Sequence, residues 1–220
     1  FTYYLQETGP KPSLYLEIQN NRGEWRVEER YPATDSKTIE MALGGNNLSL
    51  TRENAFGTTS VYPLMEAADD WLSFETETYD SDFRFGGLPQ LHMDVTPNGP
   101  GGSIYALMED CDSEDYCIHI GHAIMDLRYH EGGTEYQNVI PGVTIRAKME
   151  FFAMDVLIPE GHKIRLSLRD IGEDYLPPST EAAVDIDISG NSVLRLHEIN
   201  VDDKIFFEPP VCTHEDCLAE

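Results

Sequence analysis

Basic residues are scarce in this chain. Its 220 residues include 15 lysines and arginines against 40 acids, a formal net charge of −25. Only Lys11, Lys37, Lys148, Lys163 and Lys204 are lysines. Such a surface repels phosphate backbones and anionic lipid headgroups, which removes nucleic acid from the expected partners. Long apolar runs are missing as well. Nothing approaches the ~18 consecutive apolar residues of a membrane-spanning helix, so no membrane insertion is expected. The opening stretch, FTYYLQETGPKP, lacks a basic region followed by an apolar one, and no signal peptide is expected in it. Phe1 is not an initiator residue, which fits a mature or fragmentary chain. Also absent is G-x-S-x-G, the motif that presents a catalytic serine on a sharp strand-to-helix turn. The nearest approach, Gly101-Gly102-Ser103-Ile104-Tyr105, lacks the second glycine and precedes an apparent strand.

What remains is a β-pattern. Apolar residues make up 40% of the chain and aromatics 10%, enough for a packed core despite the charge. The acid excess fits two readings: a surface adapted to salty surroundings, where screening weakens self-repulsion, or an ordinary acidic secreted protein. No long amphipathic helix is visible. Instead, short alternating runs are closed by Gly, Pro, Asn or Asp. Strands are expected over 14–18, 25–27, 37–43, 48–50, 71–76, 91–95, 103–109, 117–129 (bulged at Gly121), 144–156, 163–170, 183–188 and 192–199. Residues 52–70 are less regular, and Tyr62-Pro63-Leu64-Met65-Glu66 reads as a helical turn or a linker. The punctuation predicts an all-β, antiparallel β-sandwich as a single domain over 1–220. Within it, 1–50 is a candidate N-terminal appendage and 206–220 an extended tail.

Four cysteines fall into two close pairs, Cys111 with Cys117 and Cys212 with Cys217. Sequence alone leaves the connectivity open. Disulfides within each pair are expected, because both pairs lie in polar, loop-like surroundings. Bonded cysteines would place the chain outside the cytosol, extracellular or at a cell surface. The competing reading is a zinc site, with His214 in CTHEDC and with His119 and His122 beyond Cys117. The absence of C-x2-C spacings counts against zinc. Asn47-Leu48-Ser49 is a glycosylation sequon, a triplet common by chance.

Four stretches carry a family resemblance. WLSFETETYDSDFRFGGLPQL, 71–91, runs from a strand through an acidic loop into Gly-Gly-Leu-Pro and a new strand. PEGHKIRLSL, 159–168, is a turn that launches a strand with basic residues on one side and Ile164, Leu166 and Leu168 on the other. GEWRVEERYPATDSKTIEMALGGNNLSL contributes Trp25, Tyr31-Pro32, 39–43 and Leu48, and SIYALMEDCDSEDYCIHIGHAIMDLRYHEG contributes Gly121 and Arg128. Taken in chain order and at this spacing, they resemble the C-terminal non-catalytic β-sandwich of the X-Pro dipeptidyl-peptidase and cocaine-esterase (CocE/NonD) family of serine hydrolases. The resemblance implies a jelly-roll, galactose-binding-like sandwich. Members of that family carry a Ser-Asp-His triad on a separate α/β-hydrolase domain. With no serine elbow, no triad residue is carried over, so no catalysis by this chain alone is expected. The implied partners are the α/β-hydrolase domain of the same parent protein or copies of this chain.

Other constellations weigh toward structure. His162 reads as a strand-launching residue whose ring bonds a neighbouring backbone group. His119 and His122, three apart on a strand, point to opposite faces unless a bulge at Gly121 intervenes, so a joint metal site is not expected. Asp110, Asp112, Glu114 and Asp115 crowd one loop, which makes Ca²⁺ a candidate cofactor there, with a solvated acidic loop as the favoured reading. Tyr3, Tyr4, Trp25, Trp71, Phe83, Phe85, Phe151, Phe152, Phe206 and Phe207 read mainly as core, with sugar stacking as the alternative. In the pairs Tyr3-Tyr4, Phe151-Phe152 and Phe206-Phe207 one member of each is expected to face outward. The first functional expectation is an accessory sandwich that docks a hydrolase domain and shapes its substrate entrance. The alternatives are a self-assembling surface or filament subunit and a carbohydrate-binding module.

Overall fold

A computed structural model of the chain describes residues 2–7, 24–27, 36–44, 47–49, 58–61, 71–170, 183–187, 191–200 and 206–207. Its strands are β1 (Thr2–Glu7), β2 (Glu24–Val27), β3 (Lys37–Gly44), β4 (Asn47–Ser49), β5 (Thr58–Val61), β6 (Leu72–Glu75), β7 (Phe83–Pro97) and β8 (Ser103–Cys111). They continue as β9 (Cys117–Asp126), β10 (Ile145–Glu150), β11 (Met154–Ile158), β12 (Lys163–Arg169), β13 (Val184–Asp187), β14 (Val193–Ile199) and β15 (Phe206–Phe207). The helical element among the described residues is one 3-10 turn, Leu127–Tyr129. The fold is an all-β sandwich.

Side-chain alternation explains why these segments are strands. In β7, Leu91, Met93 and Val95 are fully buried while His92 and Asp94 are partly exposed. In β12, Ile164, Leu166 and Leu168 point inward, as the sequence predicts. The ladder β9–β8–β12–β6 forms one half of the sandwich, and β3–β14–β7, extended by β10, β11 and β13, forms the other. Strand β4 joins them, antiparallel to β3 and parallel to β6 through Asn47 opposite Glu75. One core fills the space between, with Phe74, Ile104, Met108 and Leu166 from one half and Met41, Leu43, Leu91, Met93 and Leu196 from the other. Beside it, Arg84 and Asp155 form an ion pair with both side chains wholly buried.

The structure departs from the expected pattern in particular places. Among the described strands pairing is antiparallel except for β4–β6 and for β1–β11, where Gln6 and Glu7 run parallel to Val156 and Leu157. Gly86-Gly87-Leu88-Pro89, expected to open the strand at 91–95, lies well inside a longer strand, β7, that begins at Phe83. There Gly87 takes φ 99, and the ladder with β14 slips between Arg195 opposite Gln90 and His197 opposite Gly86. Such a bulge absorbs the unpaired residues without ending the strand. The expected strand 144–156 divides into β10 and β11 at this same bulge. Pro89 has no N–H to give, and its carbonyl instead accepts the Phe151 N–H at 2.9 Å. The strand expected over 117–129 stops at Asp126, whose carboxylate accepts the Arg128 N–H at 2.9 Å and caps the 3-10 turn. Strands β1 and β5 fall where none was expected. The expected strand 14–18, the segment 62–66 and the tail from 208 lie outside the described residues.

Candidate functional site

The outer face of the sheet β6–β12–β8–β9 collects the chain's chemistry. Strand register sorts its side chains into three rows. Glu75, Arg165, Glu109 and His119 form the first, Ser73, Ser167, Leu107 and His122 the second. Arg169, Tyr105 and Ile124 form the third, with Trp71 just ahead of β6 at its end. The first row is an ion network. Glu75 accepts from Arg165 Nε at 2.6 Å and from Lys163 Nζ at 2.7 Å, and Lys163 also reaches Asp115 at 2.7 Å. Burial alone would push the Glu75 carboxyl up, but the bonds from Lys163 and Arg165 outweigh it and hold it below the usual range. Glu109 behaves oppposite: burial raises its carboxyl, and Arg165 offsets that only in part. In the second row the Ser73 and Ser167 hydroxyls lie 2.9 Å apart.

The third row opens an aromatic path. The Arg169 guanidinium lies 4.3 Å above the Trp71 ring, and Trp71 tilts against Tyr105 at 5.9 Å between centroids. Tyr105 stacks on His122 at 5.7 Å, and His122 and Phe152 meet edge to face at 5.8 Å. Phe152 is 71% exposed while its neighbour Phe151 is buried, so this aromatic pair divides inward and outward as expected. The members Tyr3-Tyr4 and Phe206-Phe207 sit in β1 and β15, whose side chains lie outside the described residues.

His119 and His122 do share a face, against the expectation from simple alternation. Met108 opposes Gly121 and Glu109 opposes His119, so β9 carries one extra residue against β8. This bulge flips the parity of the strand and brings His122 Nδ1 to 3.2 Å from His119 Nε2. Burial, followed by the neighbouring His122, lowers the pKa of His119. Gly121 permits the close approach of β11: a Cβ there would stand 2.6 Å from Met154 Cε.

Cys111 and Cys117, paired opposite each other at the hairpin end, are bonded. Cys212, His214 and Cys217 lie outside the described residues. Asp112 and Asp115 of the intervening loop have separate engagements. Asp112 accepts from the N–H groups of Glu114 and Tyr116 at 2.8 and 3.0 Å, and Asp115 bonds Lys163. Asp110 is buried and meets His162 Nδ1 at 3.0 Å. These bonds set the loop's shape, and no group of three or more His, Cys, Asp or Glu among the described residues is arranged to hold a metal. His162 is thus tied to a carboxylate on β8 rather than to a neighbouring backbone group, though it launches β12 as expected. Gly161 makes the turn with φ 84, and the His162 N–H closes it on the Pro159 carbonyl at 3.1 Å. Ser103 is buried at the start of β8 and gives its hydroxyl proton to the Asp170 carbonyl. It occupies no strand-to-helix elbow.

Residues 7–181 match the family described as the X-Pro dipeptidyl-peptidase C-terminal non-catalytic domain. The chain belongs to this family. Within it, the C-terminal domain is described as non-catalytic, in keeping with a face that offers stacking and ion pairing but no serine elbow. Solved structures share the fold of this X-Pro dipeptidyl-peptidase C-terminal domain. A CocE/NonD family hydrolase from Staphylococcus aureus matches at TM-score 0.70 and 12% identity, over 90% of this chain and 41% of its own. An aminopeptidase from a marine-sediment archaeon of the Thaumarchaeota matches at 0.66 and 14%, over 80% of this chain and 39% of its own. An α-amino acid ester hydrolase matches at 0.62 and 13%, over 74% and 36%. The chain therefore spans about two fifths of the hydrolases it resembles. No curated protein sequence matches it. No helix among the described residues is long and apolar enough to cross a membrane.

Sequence reasoning missed the aromatic path through Tyr105 and Arg169. The signal was present as outward positions on alternating strands, but only the register sets them side by side.

Proposed function

We propose that this domain is the accessory sandwich of an X-Pro peptidase or esterase-type hydrolase, where it docks the α/β-hydrolase domain of the same parent protein and shapes the substrate entrance. The family match over 7–181 carries this reading. The lengths support it: each hydrolase that shares the fold has more than half of its chain beyond the matched region. Exposed apolar side chains at Tyr136 (64%), Ile140 (52%) and Phe152 (71%) supply contact surface for such docking. The Cys111–Cys117 disulfide supports an extracellular or cell-surface setting, since such bonds persist in oxidising compartments.

Hydrogen exchange tests the docking. The chain is compared alone and joined to the hydrolase domain encoded in the same reading frame. Slower exchange around 136–143 and 150–153 in the joined protein is expected. Equal exchange in both forms, or a reading frame with no hydrolase domain, would remove the proposal.

A further inference from the structure

We propose that His119 and His122 form a two-histidine chelating site for a divalent transition-metal ion of the Ni²⁺, Cu²⁺ and Zn²⁺ group. Geometry comes first. Two imidazole nitrogens each ~2.05 Å from a tetrahedral ion stand ~3.3 Å apart. His119 Nε2 and His122 Nδ1 are separated by 3.2 Å. The place between them is now bridged by one shared hydrogen. The ring that donates it can shift that proton to its other nitrogen, which frees both facing lone pairs for an ion with no change in net protonation.

The site is also built in advance. The bulge at Gly121 fixes both residues on one face, so the backbone needs no rearrangement. Tyr105 stacks on the His122 ring and Phe152 packs edge to face with it, which restricts the ring plane. The two imidazoles lie at 5.2 Å between centroids. Imidazole is a preferred ligand for this group of ions, whereas Ca²⁺ and Mg²⁺ prefer oxygen. Among the described residues no third His, Cys, Asp or Glu completes the set, so the remaining coordination positions go to water or to an added ligand. The net charge of −25 raises the local cation concentration and favours loading. The proposal does not rest on the docking role, although Phe152 takes part in both.

Calorimetric titration of the full chain with NiCl₂ and with ZnCl₂, in a non-coordinating buffer near neutral pH, tests it. One saturable ion per chain is expected. His119→Asn and His122→Gln should each weaken that binding roughly 100-fold, because the chelate becomes a single-ligand contact. His92→Gln, on the other half of the sandwich, should leave it unchanged. In wild-type protein, Ni²⁺ should broaden the ring resonances of His119 and His122 ahead of the other histidines, a readout that needs no variant. Absence of saturable binding, wild-type binding by either substituted chain, or earlier broadening at other histidines would overturn the proposal.

Discussion

Removing one partner of the Arg84–Asp155 pair should be the most damaging single polar substitution in the core. Both side chains have no solvent exposure. The guanidinium meets the carboxylate through two bonds, Nε to Oδ1 at 2.8 Å and a second from the terminal nitrogen to Oδ2. Arg84 lies opposite Leu157 in β11 and Ile199 in β14, so it is held between two strands with no path to water. Asp155→Leu leaves a buried guanidinium without its counter-charge. Arg84→Met leaves the buried carboxylate instead. Breaking a buried pair from one side costs about 3–5 kcal/mol, against a total domain stability of ~5–15 kcal/mol. For a chain of this size, each kcal/mol moves the melting midpoint by roughly 2–4 °C, so a fall of about 6–20 °C is expected. The double substitution Arg84→Met with Asp155→Leu removes both charges and should recover most of the loss. Urea unfolding followed by tryptophan fluorescence, together with thermal melts, gives all four corners of the cycle. Single substitutions that each cost less than about 1 kcal/mol would refute the reasoning, as would additive losses in the double.

Replacing Cys111 and Cys117 together by serine should cost about 2 kcal/mol on the chain-entropy model, because the bond closes a short loop; an unchanged urea midpoint would contradict this. Gly161→Ala meets no atom within 4 Å, yet φ 84 strains any side-chain-bearing residue, so a loss of roughly 1–2 kcal/mol is expected, with Gly161→Asn milder. His92 has its pKa lowered by burial first and then by Arg195, Arg146 and Lys148. Its contribution is therefore complete above the ordinary histidine range and is lost as pH falls through the lowered value, so wild type should lose stability relative to His92→Gln below about pH 6.5. Glu75 and Asp126, held low by their cationic partners despite burial, act in a lower window: their contribution is present above the ordinary carboxylate range and is lost as pH falls through their lowered values. A constant difference between wild type and His92→Gln from pH 8 to pH 5 would contradict the histidine assignment.

The sandwich was legible where side chains alternate within one strand. Ile39, Met41 and Leu43, and Ile164, Leu166 and Leu168, announce their inward face directly, and all six are buried. What the sequence hid depends on a second strand. TYYLQE and TTSV show no alternation to set a face, and their strands are defined by pairing with β2, β11 and β13. Gly86-Gly87-Leu88-Pro89 carries turn residues, yet bonding to β14 and to Phe151 keeps it within β7. The partner of His162, Asp110, is separated from it by 52 residues and becomes visible only once β12 lies beside β8. Gly121 did mark the place where a bulge would unite His119 and His122, but the extra residue is countable only against Met108 and Glu109.

That extra residue also fixes where the strand tolerates a change in length. Ile118 and Ile120 are buried before it, and Ala123 and Met125 after it, with two residues between Ile120 and Ala123 rather than one. Deleting Gly121 would leave strict alternation and both buried sets on their own face. Losing Ala123 or Ile124 would instead turn the following side chains over, exchanging core for solvent. Positions 121 and 122 are thus where this strand takes a one-residue change in length with its inward face kept, and the spacing of the two histidines spans that point.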